Sequence, residues 1–497
     1  MSDTKSNEAP QPQPSKTEWW RAAIPLAVLL ILWFCPLPDG LSAKGMHMFA
    51  IFAATIVSIL TAPLPTGAIM FIALTVAYFT GTLTLKEDLA GFSSGTVWLI
   101  FSAYILSLGF VKSGLGKRVA YFMLSKFGGS STGIAYSLGL ADLIMASAMP
   151  SVTARGGGII MASAMPSVTA RGGGIIMPVA RSICRVMGSE PGESGKKIGD
   201  YLMMTCFQVT PITGGLFMTG MAANLLAVQL AKDQLGIQLT WGGWTLAAFA
   251  PCVAAFLILP WFTKLLIRPT MNHTPEVKVH GKEMLAELGP LSTQEKKVAV
   301  GFILALLGWG TAILTGFNAN AIGIAVVAYL MVTKALEWKD ALAEKAAWDT
   351  VVWFGVFISL ATGLSKLGFI KWFTGVVSAQ LAGSAWIAAF LLLLVIYVYT
   401  HYLFATVAAH VIAMYVPFAA VAIACGAPVG LVAIAFCIFS NPMWGLTEYG
   451  SGPGPLYFGQ GYFERPRFYA LNFAVITMDV VVMLAVGIAW WKVIGLY

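Results

Sequence analysis

Met145-Ala-Ser-Ala-Met-Pro-Ser-Val-Thr-Ala-Arg-Gly-Gly-Gly-Ile-Ile160 is followed at once by the same sixteen residues, Met161 to Ile176. Each copy carries Pro-Ser-Val-Thr-Ala-Arg-Gly-Gly-Gly, a breaker-rich turn with two hydroxyls and an arginine set in apolar sequence. Proline and three consecutive glycines oppose a helix. In lipid-buried sequence such backbone is tolerated only where protein covers it or water lines it, so the turn marks a candidate ligand site. One site needs one copy, and the chain has two.

The rest of the chain identifies the solvent. Its 497 residues are 58% hydrophobic and 10% charged, with mean hydropathy +0.79. A soluble domain is about 25% charged. Several apolar runs approach or exceed the roughly 20 residues that cross a bilayer as helix, whereas a barrel would show short alternating segments. The chain reads as an all-α polytopic membrane protein. Residues 1–18 form a polar tail, expected to be disordered. The tail lacks the basic start and short apolar core of a cleaved signal, so Ala22–Leu37 is expected to remain in the membrane. Six scattered cysteines show no metal or disulfide spacing and read as buried thiols. The net charge of +8 fits Lys and Arg gathered in cytoplasmic loops, with attraction of anionic solutes as a secondary effect. No stretch resembles a nucleic-acid-binding patch.

Apolar spans are read at Ala22–Leu37, Gly45–Ala62, Thr66–Thr82 and Thr96–Val111, then past the repeat at Leu202–Ala231 and Trp241–Leu266. A polar, basic stretch, 268–297, is read as a cytoplasmic linker. Beyond it come Val298–Leu314, Ala321–Leu336, Thr350–Leu364, Ala385–Tyr399, Phe404–Cys425, Leu431–Phe439 and Tyr469–Ile494. The linker separates an N-terminal membrane repeat, 19–267, with the duplicated tip at 145–176, from a C-terminal one, 298–497.

The two halves resemble each other. Laying Gly95–Lys117 on Asp349–Lys371 pairs Thr96 with Thr350, Gly109 with Gly363, Lys112 with Lys366 and Gly114 with Gly368. Repeated halves mark secondary transporters, whose sites lie between the repeats. A shift one position longer sets Ser151-Val-Thr-Ala-Arg155 on Thr406-Val-Ala-Ala-His410. The interval from Gly109 to Ser151 matches that from Gly363 to Thr406 to within one position, so copy one fits upstream. The interval from Thr406 to Ser451 is much closer to that from Ser167 to Thr219 than to that from Ser151 to Thr219, so copy two fits downstream. One hairpin tip is therefore written twice. As helix the extra unit would span about 24 Å, short of the roughly 30 Å hydrocarbon layer. An extruded or re-entrant excursion is expected.

Arg155 and Arg171 head the candidate residues, because a guanidinium grips a carboxylate with two parallel bonds; an arginine satisfied at the interface is the equal alternative. Ser151, Thr153, Ser167 and Thr169 place hydroxyls where free helix N–H groups favour anions, or serve as ordinary caps. Thr219, Gly220 and Asn224, with Gly450, sit in glycine-rich breaks that could offer carbonyls to a cation, or in a kinked helix. His410 reads either as a neutral imidazole bonded to a carbonyl or as a substrate contact. Glu448 and Ser451 lie in Gly445-Leu-Thr-Glu-Tyr-Gly-Ser-Gly-Pro-Gly-Pro455, which lines a site or forms an exposed loop. No hydrolase, zincin or P-loop motif is present, which leaves a membrane enzyme without a catalytic base or nucleophile.

Four ordered stretches carry a family resemblance: Pro-Ser-Val-Thr-Ala-Arg-Gly-Gly-Gly-Ile-Ile-Met-Pro178, Thr219-Gly-Met-Ala-Ala-Asn-Leu-Leu-Ala227, His401-Tyr-Leu-Phe-Ala-Thr-Val-Ala-Ala-His410 and Leu446-Thr-Glu-Tyr-Gly-Ser-Gly-Pro-Gly-Pro455. The chain resembles the divalent anion:sodium symporter family, in its branch of citrate/succinate and tartrate/succinate exchangers and plastid 2-oxoglutarate/malate translocators. The resemblance implies two inverted repeats with re-entrant hairpins, a scaffold plus an elevator-type transport domain, a homodimer, and a multi-pass place in the bacterial inner membrane. It implies small carboxylate anions as substrates, no cofactor, and sodium as a coupling ion in the symporting members. In that family a Ser-Asn-Thr motif at each tip binds carboxylate and frames a sodium site. Here Ser151-Val152-Thr153, or Ser167-Val168-Thr169, and Thr406-Val407-Ala408 replace both asparagines by valine. Losing two amides favours anion exchange over sodium symport.

A duplicated tip displaces groups that must sit within about 1 Å of their productive place. Deletion of residues 161–176 should therefore raise transport above that of the full-length chain. Equal transport by the two forms would refute the impairment.

Overall fold

The computed structural model describes residues 20–149, 175–381 and 385–497. Ser151, Thr153, Arg155, Ser167, Thr169 and Arg171 lie outside the described residues, so the expectations for the duplicated turn are not addressed by its geometry. Among the described residues the protein is helical, with one isolated bridge, Ser130 to His273. Nine segments there are long and apolar enough to cross a membrane. All six cysteines are free; five are buried, as expected, and Cys35 is exposed.

The expected spans recur within a few residues, with one informative difference. Leu202–Ala231 is not a single helix: Gly199–Leu216 stops, a 3₁₀ turn runs over Met218–Gly220, and Ala222–Leu235 begins anew. Phe217 and Met221, both extended, bracket that turn. Hydropathy also passed over several helices, of which three are instructive. Leu115–Phe127 carries Lys117, Arg118 and Lys126, which dilute its apolar signal. It and its partner Phe369–Leu381 hold 13 residues each, about 20 Å of helix, too short to cross. The third, Pro275–Glu287, lies within the polar stretch between the halves.

The repeat extends further than the motifs revealed. Thr66–Phe79 and Ala319–Val332 are equally long and stand at the same offset as each other's ends. Leu115–Phe127 and Phe369–Leu381 do likewise, at an offset one position greater. Left-handed residues recur with them: Ala62 (φ 47°) with Gly316 (72°), Gly81 (68°) with Lys334 (55°), and Gly114 (81°) with Gly368 (86°). Short capping boxes match too, Thr84 with Glu87 in one half and Glu337 with Asp340 in the other. Bonds from the Thr84 backbone and hydroxyl hold the Glu87 carboxyl below its ordinary value. The ion pairs across the halves are reciprocal. Lys112 meets Asp340 at 2.6 Å, and its counterpart Lys366 meets Glu87, the counterpart of Asp340, at 3.8 Å. A contact of i with j′ matched by one of j with i′ is the mark of a two-fold relation.

The longest helices, Trp241–Ile267 and Arg465–Val493, close their respective halves and pack on each other. Trp490 and Trp491 donate to the Leu246 and Ala247 carbonyls at 2.7 and 3.0 Å. Pro275–Glu287 packs on Leu115–Phe127, and Arg118 secures the junction. Its Nε and Nη2 hold Glu295 at 2.5 and 3.1 Å, and its Nη1 donates to the Gly289 carbonyl at 2.8 Å. Glu295 is buried. Arg118→Ala should cost roughly 3 kcal/mol, the low end for stranding a buried ion-pair partner. Arg118→Lys should recover only part, because an ammonium lacks the forked geometry. Thermal unfolding in detergent, with proteolysis of residues 268–297, reads both; an unchanged melting temperature in Arg118→Ala would contradict the assignment.

Candidate functional site

The break at Phe217–Met221 frees carbonyls that lipid cannot hydrate, so the protein must satisfy them. Asn224 does so from the first turn of the next helix: its Nδ2 donates to Gly214 O at 2.9 Å and Phe217 O at 3.1 Å. The second half breaks similarly after Val429–Phe439, with a 3₁₀ turn over Pro442–Leu446 and extended Thr447. Asn441 lies at that break, within 3.3 Å of the Cys437 and Ile438 carbonyls. Its Nδ2 donates to Asn224 Oδ1 at 2.9 Å. Both asparagines are fully buried. One hydrogen bond thus joins the broken segments of the two repeats.

The first break is also tied to the entrance of the duplicated turn. Thr219 donates to the Ser147 carbonyl at 2.6 Å and accepts from Trp241 Nε1 at 2.9 Å. Asp142, at the end of the preceding helix Ser131–Ala146, accepts from the Thr213 hydroxyl. A Cβ on Gly220 would lie 2.4 Å from the Gly214 carbonyl oxygen, so the tight return of the chain demands glycine there. Thr219, Gly220 and Asn224 are therefore brought together as expected. The Thr219 hydroxyl and the two carbonyls under Asn224 are engaged in holding the break.

In the second half Thr406 is exposed and caps Val407–Ala424, its Oγ1 accepting from Ala409 N at 3.1 Å. His410, one turn on, is buried. Its ring stands 4.6 Å from that of Tyr397 and 4.8 Å from that of Phe404, and its Nε2 meets Thr400 Oγ1 at 3.0 Å. The Thr400 hydroxyl already donates to Tyr397 O at 2.8 Å, so Nε2 carries the proton in that bond. The imidazole thus backs the tip, with its Nε2 turned to Thr400. His401 donates to the Gly450 carbonyl at 3.0 Å, and Gly450 N donates to Thr447 Oγ1 at 2.9 Å. Ser451 is buried and accepts from Gly454 N at 3.3 Å. Glu448 pairs with exposed Arg465 at 3.1 Å. Among the described residues no cluster of His, Cys, Asp or Glu could hold a metal ion.

Sequence reasoning passed over Asn441 and Gln208. Both were visible as uncharged polar residues in apolar runs. Gln208 donates to the Gly445 carbonyl at 3.0 Å and to Asn472 at 2.7 Å, a second buried bridge between the halves.

Two intervals, now anchored on backbone geometry, bear on the duplication. Left-handed Gly114 precedes Ser151, and left-handed Gly368 precedes Thr406, by intervals that differ by a single position. Left-handed Gly188 follows Ser167, and left-handed Gly426 follows Thr406, with the same close agreement. Copy one keeps register upstream and copy two downstream.

Broken helices from two repeats, meeting deep among apolar spans, define a secondary transporter rather than an enzyme. The chain belongs to the sodium:sulfate symporter family, whose transmembrane-region model matches residues 16–162 and 159–497. The two matched pieces overlap inside the tandem repeat. YflS of Bacillus subtilis is 40% identical over 95% of this chain and 96% of its own. The chloroplastic dicarboxylate transporter 1 of Arabidopsis thaliana is 36% identical over 100% of this chain and 88% of its own. The Escherichia coli inner membrane protein YbhI is 34% identical over 97% and 98%. Among solved structures, the Alcanivorax borkumensis YdaH transporter superposes with a TM-score of 0.56, at 12% identity over 96% of this chain and 97% of its own. That likeness speaks for the fold alone. The protein is a multi-pass transporter of the inner membrane.

Removing one buried partner leaves the other unsatisfied, at about 1–3 kcal/mol. Asn441→Ala and Asn224→Ala should each destabilise by that order, and the double variant by less than the sum, with coupling of about 0.5–3 kcal/mol. Additive losses in chemical denaturation would show that the bridge carries no energy.

Proposed function

We propose that the protein exchanges small dicarboxylates, one C4–C6 anion inward for another outward, or a tricarboxylate of the same reach. The observation that carries this reading is the Asn224–Asn441 junction, tied through Thr219 to the entrance of the arginine-bearing turn. Membership of a symporter family and a chloroplastic dicarboxylate transporter as relative supply the substrate class. Arg155 or Arg171 would grip one carboxylate, with the hydroxyls of Ser151 and Thr153 or of Ser167 and Thr169 beside it. Thr406, at the exposed cap of the second tip, would meet the other carboxylate, with Ser451 near it. His410 would position that tip from behind. A homodimer and elevator movement of the hairpin-bearing part against a scaffold complete the proposal, with residues 268–297 on the cytoplasmic side.

Sodium symport is the second reading, favoured by the family's symporters. Thr219, Gly220, Asn224 and Gly450 would then frame the ion. Against it stand Val152, Val168 and Val407 where the resemblance calls for asparagine. The doubled family match supports treating one sixteen-residue unit as surplus.

Counterflow in proteoliposomes separates these readings. The form lacking residues 161–176, loaded with succinate or malate, should take up labelled succinate, malate, tartrate or citrate without sodium. Absence of exchange for all four would sink the carboxylate reading. Sodium-dependent uptake into empty vesicles would instead select symport. Arg155→Lys in that form should cut exchange by about tenfold or more, because a point charge replaces a bidentate grip.

A further inference from the structure

Asp479 is the middle residue of Arg465–Val493, the longest helix described. It is fully buried, and among the described residues neither carboxyl oxygen has a hydrogen-bond partner. The long helix packed on it, Trp241–Ile267, carries one base, Lys264, which donates to the Thr132 hydroxyl at 3.2 Å. The same helix contributes Cys252, and Pro442–Leu446 has no ionisable side chain. Tyr399, from Trp386–Tyr399, bonds to Thr477 at 2.6 Å. The cations of the helix itself, Arg465, Arg467 and Lys492, stand at its ends.

An ionised carboxylate so placed would cost several kcal/mol, and buried acids escape that cost by taking a proton. An acid with no partner contributes little to stability, and apolar side chains fill such positions at lower cost. Its surroundings connect it to the junction between the repeats. Gly215 lies at the end of the first broken helix; a Cβ there would lie 3.5 Å from Cys252 Sγ and 3.2 Å from Asn441 Cβ. Asn441 Oδ1 is itself buried without a partner among the described residues. Trp241–Ile267, which bears Cys252, therefore packs against both the end of the first broken helix and the helix of Asp479.

We infer that Asp479 is a proton-binding site through which transport is coupled to pH. With the junction packed as described, the carboxyl holds its proton. When the hairpin-bearing part moves against the scaffold and water reaches the junction, the O–H bond breaks and the proton passes to water on that side. On return the carboxylate takes a proton from water on the other side. One proton is bound and one released per cycle, and no other reactant is needed. The coupling rests on the transport reading above; the protonation does not.

The test therefore has two arms on the full chain. Infrared difference spectra across a pH titration should show the carbonyl band of a protonated carboxyl, lost at high pH, absent in Asp479→Asn and present in Asp479→Glu. This arm needs no turnover, so a chain slowed by its duplicated turn still answers it. In proteoliposomes, an inward gradient of one pH unit should raise accumulation by up to about tenfold for one proton per substrate. Asp479→Asn should abolish that rise, and Asp479→Glu should retain it. A band that persists in Asp479→Asn, or that never titrates, overturns the site. Accumulation insensitive to the gradient in a chain that exchanges carboxylates overturns the coupling, as does a sodium gradient replacing the proton gradient. No exchange at equal pH by the shortened form would count against the carboxylate reading while leaving the infrared result to stand.

Discussion

A backbone amide or carbonyl released inside a bilayer has no water to turn to, and every helix break in this protein has to answer that constraint. Asn224 answers it for the first repeat, turning its amide onto the two carbonyls left open at Gly214 and Phe217. Its remaining oxygen is given to Asn441 of the second repeat. Satisfying the break and joining the halves are thus one arrangement. Residues that leave helical geometry at the break are held by residues that do not. Gly220 permits the chain to fold back on Gly214, and Thr219 passes the constraint on to Ser147.

The reciprocal pairs Lys112–Asp340 and Lys366–Glu87 record a two-fold relation between the halves, but they do not hold it. Their lysines are about half exposed or more, and such pairs contribute at most about 1 kcal/mol. What binds the halves is apolar packing of the long closing helices, with the buried amide bridges setting register. Symmetry breaks down at the duplicated turn. Val407–Ala424 is capped by Thr406, while the counterpart sequence in the first half is written twice.

Much of the site was legible because polar residues in apolar runs are conspicuous. Thr219, Gly220, Asn224 and Gly450 were singled out by that contrast, and the structure places each at a helix break. His410 was singled out by the same signal. Its ring, however, packs on Tyr397 and Phe404 and bonds to Thr400, a choice made by how the preceding turn folds back on it. Asn441 and Gln208 are as visible along the chain as Asn224, but nothing near them in sequence says what they bond. Their partners lie in the opposite half of the chain. Leu115–Phe127 escaped because its lysines and arginine lower apolarity while leaving the helix intact.

By itself the sequence determined the solvent, the internal likeness of two stretches of the chain and the duplication of sixteen residues. These follow from composition, period and spacing, which are properties of the chain read along its length. The partners of each polar group were decided only by the tertiary structure. Whether a buried amide, imidazole or carboxyl is capped, bridged or left bare depends on which distant helix is pressed against it. Asn441 gained a partner across the repeat boundary, and Asp479, equally buried, gained none among the described residues.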